Sequence, residues 1–381
     1  MKLLQIALIA ILITSCQTKK VETNLVEKYL KNKIKMEAQS FFVGTYTDSL
    51  CKGIYNYTLA QDGSLKLLGL VAISDNPSFL TKSTDGKYVL AVNEINSQDG
   101  AGTIESYAIE NDSLIFISRS PSGGAHPCFV ATNDASYILT ANYTGGNVGL
   151  LKLNTKGEIS NLLDIQQHTG KGVTERQDAP HAHSAWFEAN SNNIISIDLG
   201  TNELWFSKLD TVQQKLVASK PKTLKMAPGD GPRHLTFHPN NKWIYVVNEL
   251  NGNVALLEKN KGTLAVKSVI STLPEGYEEP NTCADIHISS DGKFVYASNR
   301  GHNSIVTFKV NEADGTLTFI AHESTRGDGP RNFSLSPDEA YLVVANQLTQ
   351  NIISFKRDKD TGLLEFVDEI EAPNPVCILF K

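Results

Sequence analysis

The feature that most constrains the fold is a segment that recurs along the chain, in which a proline is followed by an asparagine 15 or 16 residues later. Six copies keep this spacing, two of them with altered ends, and they run from Pro77 to Asn93, Pro127 to Asn142, Ala182 to Asp198, Pro232 to Asn248, Cys283 to Asn299 and Pro330 to Asn346. Pro375 opens a truncated last copy. Starts that recur about every 45–55 residues are typical of a repeat architecture.

Each copy has the composition of antiparallel hairpins. In the copy that begins at Pro232, the β-branched and aromatic run 243–247 is followed by a Gly/Asn turn and by a second apolar run, 253–257. Val, Ile, Tyr and Phe favour strands, whereas Asp-Gly and Asn-rich pairs favour the turns between them. Four antiparallel strands in a repeat of about 48 residues are the unit of a β-propeller.

The number of copies predicts an all-β, seven-bladed propeller that spans residues 41–381. Complete blades start near residues 76, 125, 182, 231, 283 and 329. Residues 41–73 supply three strands without an inner one, and residues 374–380 supply an inner strand with nothing after it. We therefore expect the C-terminal strand to complete the first blade, which leaves no open edge in the ring. The even spacing disfavours an open pair of sandwiches.

The N-terminus predicts export. Lys2 precedes the apolar run 3–13, and the small residues Thr14 and Ser15 come directly before Cys16. This pattern is typical of a signal peptide over residues 1–15, with Cys16 lipidated and residues 16–40 serving as a tether. A plain signal peptide with an incidental cysteine is the alternative. We expect a monomer anchored by lipid alone in a bacterial cell envelope, at the outer membrane or on the periplasmic side.

Composition excludes some functions. The formal net charge of −6 and the pI of about 5.9 argue against a nucleic-acid partner, which requires a basic face. We find no nucleophile elbow, phosphate-binding loop or dinucleotide fingerprint, so no cofactor is predicted.

The repeat also predicts which side chains meet at the centre of the ring. Residues that follow the repeat proline and residues that follow the repeat asparagine should line one central funnel, and the charged or ionisable members on four consecutive blades are His183, Arg233, Glu249, Arg300 and Arg331. Guanidinium groups bind carboxylates and phosphates with forked hydrogen bonds, and they stabilise oxyanions. A carboxylate or an imidazole beside them can serve as a general base. The set predicts a site for an anionic substrate; the alternative is a ring of structural salt bridges.

Other polar residues near the predicted funnel are weaker candidates. His181 and His183 have the spacing of a metal pair on one strand face, but no third ligand is evident, so no metal site is predicted. Arg176 and Gln177 lie in the long loop 168–181, which could overhang the funnel. We expect His181, Arg331, Arg176 and Gln177 to contact the substrate.

Three stretches resemble a known family. GDGPRHLTFHPNNKWIYVVNEL, ERQDAPHAHSAWF and ASNRGHNSI are similar to motifs of the seven-bladed lactonase family, and the similarity extends from about residue 40 to the C-terminus. That family includes propeller-type 6-phosphogluconolactonases and the fungal carboxymuconate-lactonizing enzyme. The resemblance implies a catalytic set of His183, Arg233, Glu249 and Arg300, which are also positions of the predicted funnel.

The sequence thus predicts a hydrolase acting on a sugar-acid lactone, similar to 6-phosphogluconolactonase. Glu249 is the expected general base, with His183 as the competing candidate, and Arg233 and Arg300 would hold the anionic end of the substrate or polarise its carbonyl. Glu94, on the far side of the ring, should have little role. Two alternatives stay open: a propeller that only binds a ligand or a protein, and a cycloisomerase that forms a lactone.

Overall fold

The computed structural model describes residues 38–49, 51–97, 99–260 and 262–381, and these form a ring of seven four-stranded antiparallel sheets. The predicted signal peptide, Cys16 and all but the last residues of the tether lie outside the described residues. Within the described part of the chain, no helix is both long enough and apolar enough to cross a membrane. The predicted seven-bladed propeller is confirmed.

The first four blades, numbered in chain order, each run from an inner strand at the centre of the ring to an outer one. Blade 1 contains β28 (Pro375–Phe380), β1 (Gln39–Thr45), β2 (Gly53–Leu59) and β3 (Leu65–Ile73). Blade 2 contains β4 (Leu80–Lys82), β5 (Tyr88–Asn93), β6 (Thr103–Glu110) and β7 (Ser113–Pro121). Blade 3 contains β8 (Pro127–Thr132), β9 (Tyr137–Asn142), β10 (Asn147–Lys152) and β11 (Asp164–Gln167). Blade 4 contains β12 (Ala182–Phe187), β13 (Asn193–Asp198), β14 (Glu203–Asp210) and β15 (Lys215–Lys225).

The remaining three blades follow the same order. Blade 5 contains β16 (Pro232–Phe237), β17 (Trp243–Asn248), β18 (Asn253–Asn260) and β19 (Thr263–Ser271). Blade 6 contains β20 (Thr282–Ile288), β21 (Phe294–Arg300), β22 (Ser304–Val310) and β23 (Leu317–Ser324). Blade 7 contains β24 (Pro330–Leu335), β25 (Tyr341–Asn346), β26 (Asn351–Arg357) and β27 (Leu364–Glu371). A 3₁₀ turn, Glu175–Gln177, interrupts the loop between blades 3 and 4.

The C-terminal strand closes the ring as the sequence predicts. β28 pairs antiparallel with β1, with Val43 opposite Ile378 and Phe41 opposite Phe380. The Phe41 ring also stacks on Tyr57, with ring centroids 5.6 Å apart, so the closing strand is tied into the apolar core of blade 1. Closure removes the two sheet edges that would otherwise be exposed.

The core is divided among the interfaces between neighbouring blades. Seven buried apolar clusters are found among the described residues, and each joins two adjacent blades. The cluster between blades 1 and 7, for example, packs Phe41 and Tyr57 against Val343. Burying a side chain of this size contributes about 1.5–3 kcal/mol, so each blade depends on both neighbours for its stability.

A β-bulge places the funnel residues. In blade 5, Pro232 pairs with Asn248 and His234 pairs with Val247, so the register shift leaves Arg233 without a partner. The same shift leaves Cys128, His183 and Arg331 unpaired at the start of the inner strands of blades 3, 4 and 7. A bulge redirects one side chain away from the strand alternation. The residue after the repeat proline is therefore free to face the centre of the ring.

Candidate active site

Three guanidinium groups surround one carboxylate in the funnel. Glu249 follows the last residue of β17, and its Oε2 lies 3.0 Å from Arg233 Nε and 3.1 Å from Arg300 Nη2. Its other oxygen, Oε1, accepts a hydrogen bond of 3.1 Å from Arg176 Nη2. The structure thus brings together four residues that the sequence analysis singled out, from blades 5 and 6 and from the loop before blade 4.

The three arginines form a gradient from the floor of the funnel to its mouth. The side chains of Arg233, Arg300 and Arg176 are 3%, 18% and 52% exposed. The two deeper ones are fixed by the inner strand of blade 6, because Arg233 Nη1 donates to the carbonyl of Ala284 and Arg300 Nη2 donates to that of Cys283 at 2.9 Å. These anchors keep the guanidinium groups oriented before any ligand arrives.

The charges of this cluster shift its pKa values. Burial alone would raise the pKa of the Glu249 carboxyl, but the guanidinium groups, Arg300 first, outweigh burial and lower the pKa to about 2. Burial, together with the nearby Arg300, lowers the pKa of Arg233 to about 10. At neutral pH the carboxylate is therefore ionised and the guanidinium groups are charged.

His183 lies on the same wall, beside the arginine cluster. Its ring contacts Tyr143 and His234 edge-on, with centroid distances of 5.7 Å and 5.3 Å. Burial and the positive charge of Arg233 hold the pKa of His183 well below its usual value of 6.5, so the imidazole is neutral at physiological pH. A neutral imidazole can accept a proton, which keeps His183 chemically competent as a base.

The loop that carries Arg176 is fastened to blade 4. Asp198 accepts hydrogen bonds from the backbone N–H of His181 at 2.8 Å and from Thr201 N at 2.7 Å, and its second oxygen lies 2.7 Å from Nδ1 of His168. One buried carboxylate thus holds both ends of the loop. Arg176 Nη2 also donates to the hydroxyl of Tyr143 at 3.1 Å.

Gln177 does not line the funnel. Its side chain is fully buried, and its amide nitrogen donates to Leu199 O at 2.9 Å and to Asn202 Oδ1 at 3.1 Å. Its amide oxygen accepts from the backbone N–H groups of Val173 and Thr174 at 3.2 and 3.4 Å. The expected substrate contact is therefore replaced by a structural one, because the amide is saturated by groups that hold the loop in place.

His181 lies at the edge of the site rather than beside Glu249. Its ring stacks on Tyr143 with centroids 4.5 Å apart, its Nδ1 is 3.1 Å from Tyr143 O, and its Nε2 is 3.3 Å from Asp178 Oδ1. Among the residues that the structure describes, no group of three or more His, Cys, Asp or Glu is placed to hold a metal ion.

The opposite wall contains a residue that the sequence analysis missed. Arg331 Nη2 donates to the hydroxyl of Tyr46 at 2.7 Å, and this hydroxyl donates to Glu94 Oε2 at 2.8 Å. Thr45 pairs with Pro375 in blade 1 as Asn248 pairs with Pro232 in blade 5. Tyr46 therefore occupies the funnel position of the shared blade, and applying the repeat across the two chain ends would have found it.

A second polar layer lies one residue further along the inner strands. Asp285 accepts hydrogen bonds from His234 Nδ1 at 2.9 Å and from Asn332 Nδ2 at 2.5 Å, and lies 3.1 Å from His287 Nε2. The His234 ring also packs against Phe79 and Phe129, whose own centroids are 4.5 Å apart. These aromatic rings fill the centre of the ring beneath the arginines, so the funnel has a floor.

Chemically, the funnel combines a proton acceptor with fixed cationic donors. The ionised carboxylate of Glu249 can accept a proton from water, although its pKa of about 2 makes it a weak base while the guanidinium groups stay paired with it. The two guanidinium groups within 3.1 Å of it can stabilise a developing oxyanion close by. Arg331 and Arg176 supply further positive charge for an anionic ligand. This arrangement is suited to hydrolysis of an ester-like bond in a small, negatively charged molecule.

Comparisons with known proteins agree with this geometry. Residues 40–380 match the model of the family described as lactonase, 7-bladed beta-propeller. Proteins named 6-phosphogluconolactonase from Bacillus subtilis and Formosa agariphila are each 36% identical to this chain, over 89% and 85% of it and 97% and 94% of their own lengths. The solved structure of a periplasmic gluconolactonase from Pseudomonas aeruginosa has a TM-score of 0.86 and 30% identity, covering 90% of this chain and 99% of that one. This chain belongs to the seven-bladed β-propeller lactonase family.

Proposed function

We propose that this protein hydrolyses the lactone of a sugar acid, with the reaction taking place at Glu249 and its arginines. The observation that carries the proposal is the cluster itself: one ionised carboxylate within 3.1 Å of three guanidinium groups, at the centre of a lactonase-family propeller. Relatives that cover most of the chain bear the name 6-phosphogluconolactonase, which supports a sugar-acid lactone as the substrate class.

The proposed reaction is addition of water to the lactone carbonyl. The oxygen of the attacking water bonds to the carbonyl carbon while Glu249 accepts a proton from that water. Arg233 and Arg300 stabilise the oxyanion that forms. The intermediate then collapses, the bond between the carbonyl carbon and the ring oxygen breaks, and the ring oxygen takes up the proton. The product is the open hydroxy acid. His183, which is neutral and adjacent, is the competing base.

In this scheme Arg300 and Arg233 contact both the base, Glu249, and the carbonyl of the substrate. Both lie within ion-pair distance of the same oxygen of Glu249, at 3.1 and 3.0 Å. A carbonyl that enters between them would lie beside the base and its bound water at the same time. Such placement in a site held by backbone anchors lowers the entropic part of the barrier.

We further propose that the protein is exported, anchored by a lipid on Cys16, and monomeric. The N-terminal sequence supports export, since an apolar run of signal-peptide length ends directly before Cys16. A structural relative named as a periplasmic protein is compatible with it. Metabolic labelling with a radioactive or clickable fatty acid tests the anchor: wild type should incorporate the label and Cys16→Ala should not.

Turnover of a lactone panel tests the enzymatic proposal. The purified protein is assayed by pH-stat on glucono-1,5-lactone, its 6-phosphorylated form and a lactone without hydroxyl groups, with spontaneous hydrolysis subtracted. Glu249→Gln is assayed in parallel to show that the activity comes from this site. The matched control is Glu258→Gln, which changes a half-buried carboxylate on β18 of the same blade that pairs with Lys242 and Lys267.

We expect hydrolysis of at least one sugar-acid lactone by wild type and by Glu258→Gln, and its loss in Glu249→Gln. A wild type that does not exceed the spontaneous rate on any lactone would contradict the proposal and favour a ligand-binding propeller. Net formation of lactone from the open acid would instead favour the cycloisomerase.

A further inference from the structure

Arg331 differs from the other arginines of the funnel in having no carboxylate of its own. Arg176, Arg233 and Arg300 all lie within 3.1 Å of Glu249. Within the described residues, no Asp or Glu oxygen comes within the 4.0 Å ion-pair limit of Arg331, and its one hydrogen-bond partner there is the hydroxyl of Tyr46, at 2.7 Å. A guanidinium has five N–H donors, so Arg331 keeps donors that a ligand could occupy.

The orientation of Arg331 is nonetheless fixed. Its guanidinium carbon lies 5.2 Å from the centroid of the Tyr46 ring, and the Tyr46 hydroxyl is held in turn by Glu94 Oε2 at 2.8 Å. Burial raises the pKa of Tyr46 far above its usual value, so this hydroxyl stays protonated and donates a hydrogen bond to Glu94. The chain Arg331–Tyr46–Glu94 therefore sets the guanidinium in one direction without neutralising it directly.

The balance of charge in the funnel calls for an anion. Four guanidinium groups, those of Arg176, Arg233, Arg300 and Arg331, face the two carboxylates of Glu94 and Glu249. The arginines also influence one another, since Arg331 lowers the pKa of both Arg233 and Arg300 through like-charge repulsion, after the larger effect of burial. Asp285 beneath the funnel and Glu94 and Glu249 within it offset part of this charge, and the positive charge that remains is compensated when a ligand brings negative charge with it.

We propose that Arg331, held by Tyr46 and Glu94, binds an anionic group of the substrate that lies at a distance from the carbonyl of the lactone ring. By this contact the protein selects phosphorylated or carboxylated lactones over neutral ones. The inference rests on the proposed lactone hydrolysis, in which Arg233 and Arg300 serve the carbonyl. It assigns recognition of the anion to the opposite wall, where a guanidinium without a carboxylate partner is available.

Three substrates and two variants test this assignment with the full-length protein. Glucono-1,5-lactone is neutral, its 6-phosphorylated form carries a phosphate, and glucarolactone carries a carboxylate, so the panel separates the two sources of negative charge. Arg331→Gln removes the guanidinium and Tyr46→Phe removes only the hydroxyl that orients it. Arg326→Gln is the matched control, because this exposed arginine on the loop leading into the same blade stacks on Phe366.

In Arg331→Gln we expect kcat/KM for the better anionic lactone to fall about 10- to 100-fold, mainly through KM, because a charge-assisted contact is lost. The loss for the neutral lactone should be clearly smaller, because that substrate carries no anionic group for Arg331 to bind, so the ratio of kcat/KM for the anionic lactone to that for the neutral one should fall. Tyr46→Phe should show the same selectivity with a smaller loss. Arg326→Gln should resemble wild type on all three substrates.

Equal losses on neutral and anionic lactones, or no loss on either, would overturn the assignment while leaving the hydrolase proposal intact. If wild type hydrolyses no lactone, calorimetric titration with inorganic phosphate still tests anion binding by Arg331. Phosphate should then bind wild type and Arg326→Gln more tightly than Arg331→Gln, and equal affinities would contradict the inference.

Discussion

Two carboxylates lie at the centre of the ring with equal burial and different surroundings. The side chains of Glu249 and Asp285 are each 5% exposed. Glu249 is surrounded by guanidinium groups, of which Arg176 extends to the mouth of the funnel with 52% of its side chain exposed. Asp285 is surrounded by His234, His287 and Asn332, on the inner strands of three adjacent blades.

The difference lies in how many hydrogen-bond donors remain unused. Three guanidinium groups bring far more N–H donors than one carboxylate can accept, so the cluster around Glu249 has capacity for a ligand. Around Asp285 the donors match the acceptor capacity of the carboxylate, because two imidazoles, one amide and the backbone N–H of Ile286 at 3.0 Å together occupy its oxygens. The first arrangement is suited to chemistry, and the second to joining blades 5, 6 and 7.

The largest effect on stability should come from Asp285 and its partners His234, His287 and Asn332, which together form a closed cluster. Asp285→Ala leaves the Nδ1 of His234 and the amide of Asn332 without their acceptor in a buried place, which should lower the free energy of unfolding by about 3–5 kcal/mol. Urea titration followed by tryptophan fluorescence measures the loss. Asp360→Ala, in an exposed turn, is the control and should stay within about 0.5 kcal/mol of wild type. Equal values for the two variants would show that the closed cluster contributes nothing.

The guanidinium groups around Glu249 should affect the rate more than the stability. Arg300→Gln removes one donor to the proposed oxyanion, so we expect kcat to fall about 10²- to 10³-fold. Steady-state kinetics on the preferred lactone separates this result from a simple rise in KM, which would indicate that Arg300 only docks the substrate. An unchanged kcat with a raised KM would therefore move Arg300 from the reaction to recognition.

Between pH 6 and 8 the contribution of Asp285 to stability should depend on pH, whereas the contribution of Glu249 should not. Burial opposes protonation of His287, but Asp285 outweighs it and raises the pKa of His287 above 6.5, so this stabilisation is full below pH 6.5 and is lost as pH rises through the raised value. Glu249, whose pKa falls from 4.5 to about 2, contributes fully above pH 4.5 and loses its contribution only as pH falls from there.

Urea unfolding of wild type, Asp285→Asn and Glu249→Gln at pH 6, 7 and 8 measures both contributions. The difference between wild type and Asp285→Asn should shrink with rising pH, whereas the difference between wild type and Glu249→Gln should stay constant. A pH-independent difference for Asp285→Asn would mean that His287 is not paired with it.

The smallest effect should come from Glu94, the other carboxylate of the funnel. It holds the hydroxyl of Tyr46 and contacts no reacting group in the proposed scheme. We expect Glu94→Gln, whose amide oxygen can still accept that hydrogen bond, to change kcat less than about threefold. Kinetics beside Glu249→Gln makes the comparison direct. Loss of activity in Glu94→Gln with full activity in Glu249→Gln would show that the site has been assigned to the wrong wall.

The sequence predicts the ring of blades, its closure and the central pair of the site, Arg233 and Glu249, because all three follow from the spacing of one repeat. In blades 3, 5 and 7 the proline and the asparagine that mark the repeat pair with each other, as Pro232 and Asn248 do, so counting from them places Arg233 and Glu249 side by side. Strand register is thus encoded locally, and the six copies that keep the spacing repeat the same signal.

The features that the sequence does not predict depend on contacts that do not follow the repeat spacing. The sequence analysis does not identify Tyr46 as a funnel residue, because Thr45 stands in place of the repeat asparagine and the blade is shared between the two ends of the chain. The burial of Gln177 depends on the turn of blade 4 against which its loop packs. Asp285 lies one residue beyond the counted position, and the register shift between Cys283 and Ile286 turns it toward His234.

The most direct test of the account is to measure kcat on a sugar-acid lactone and the melting temperature for Glu249→Gln and Asp285→Asn side by side. Glu249→Gln should lose about 10²–10⁴ in kcat and keep a cooperative unfolding transition close to that of wild type. Asp285→Asn should melt at a clearly lower temperature, while its folded fraction turns over substrate at nearly the wild-type rate. If Glu249→Gln keeps the wild-type kcat, or if both variants lose rate and stability in parallel, the separation between a chemical and a structural carboxylate is wrong.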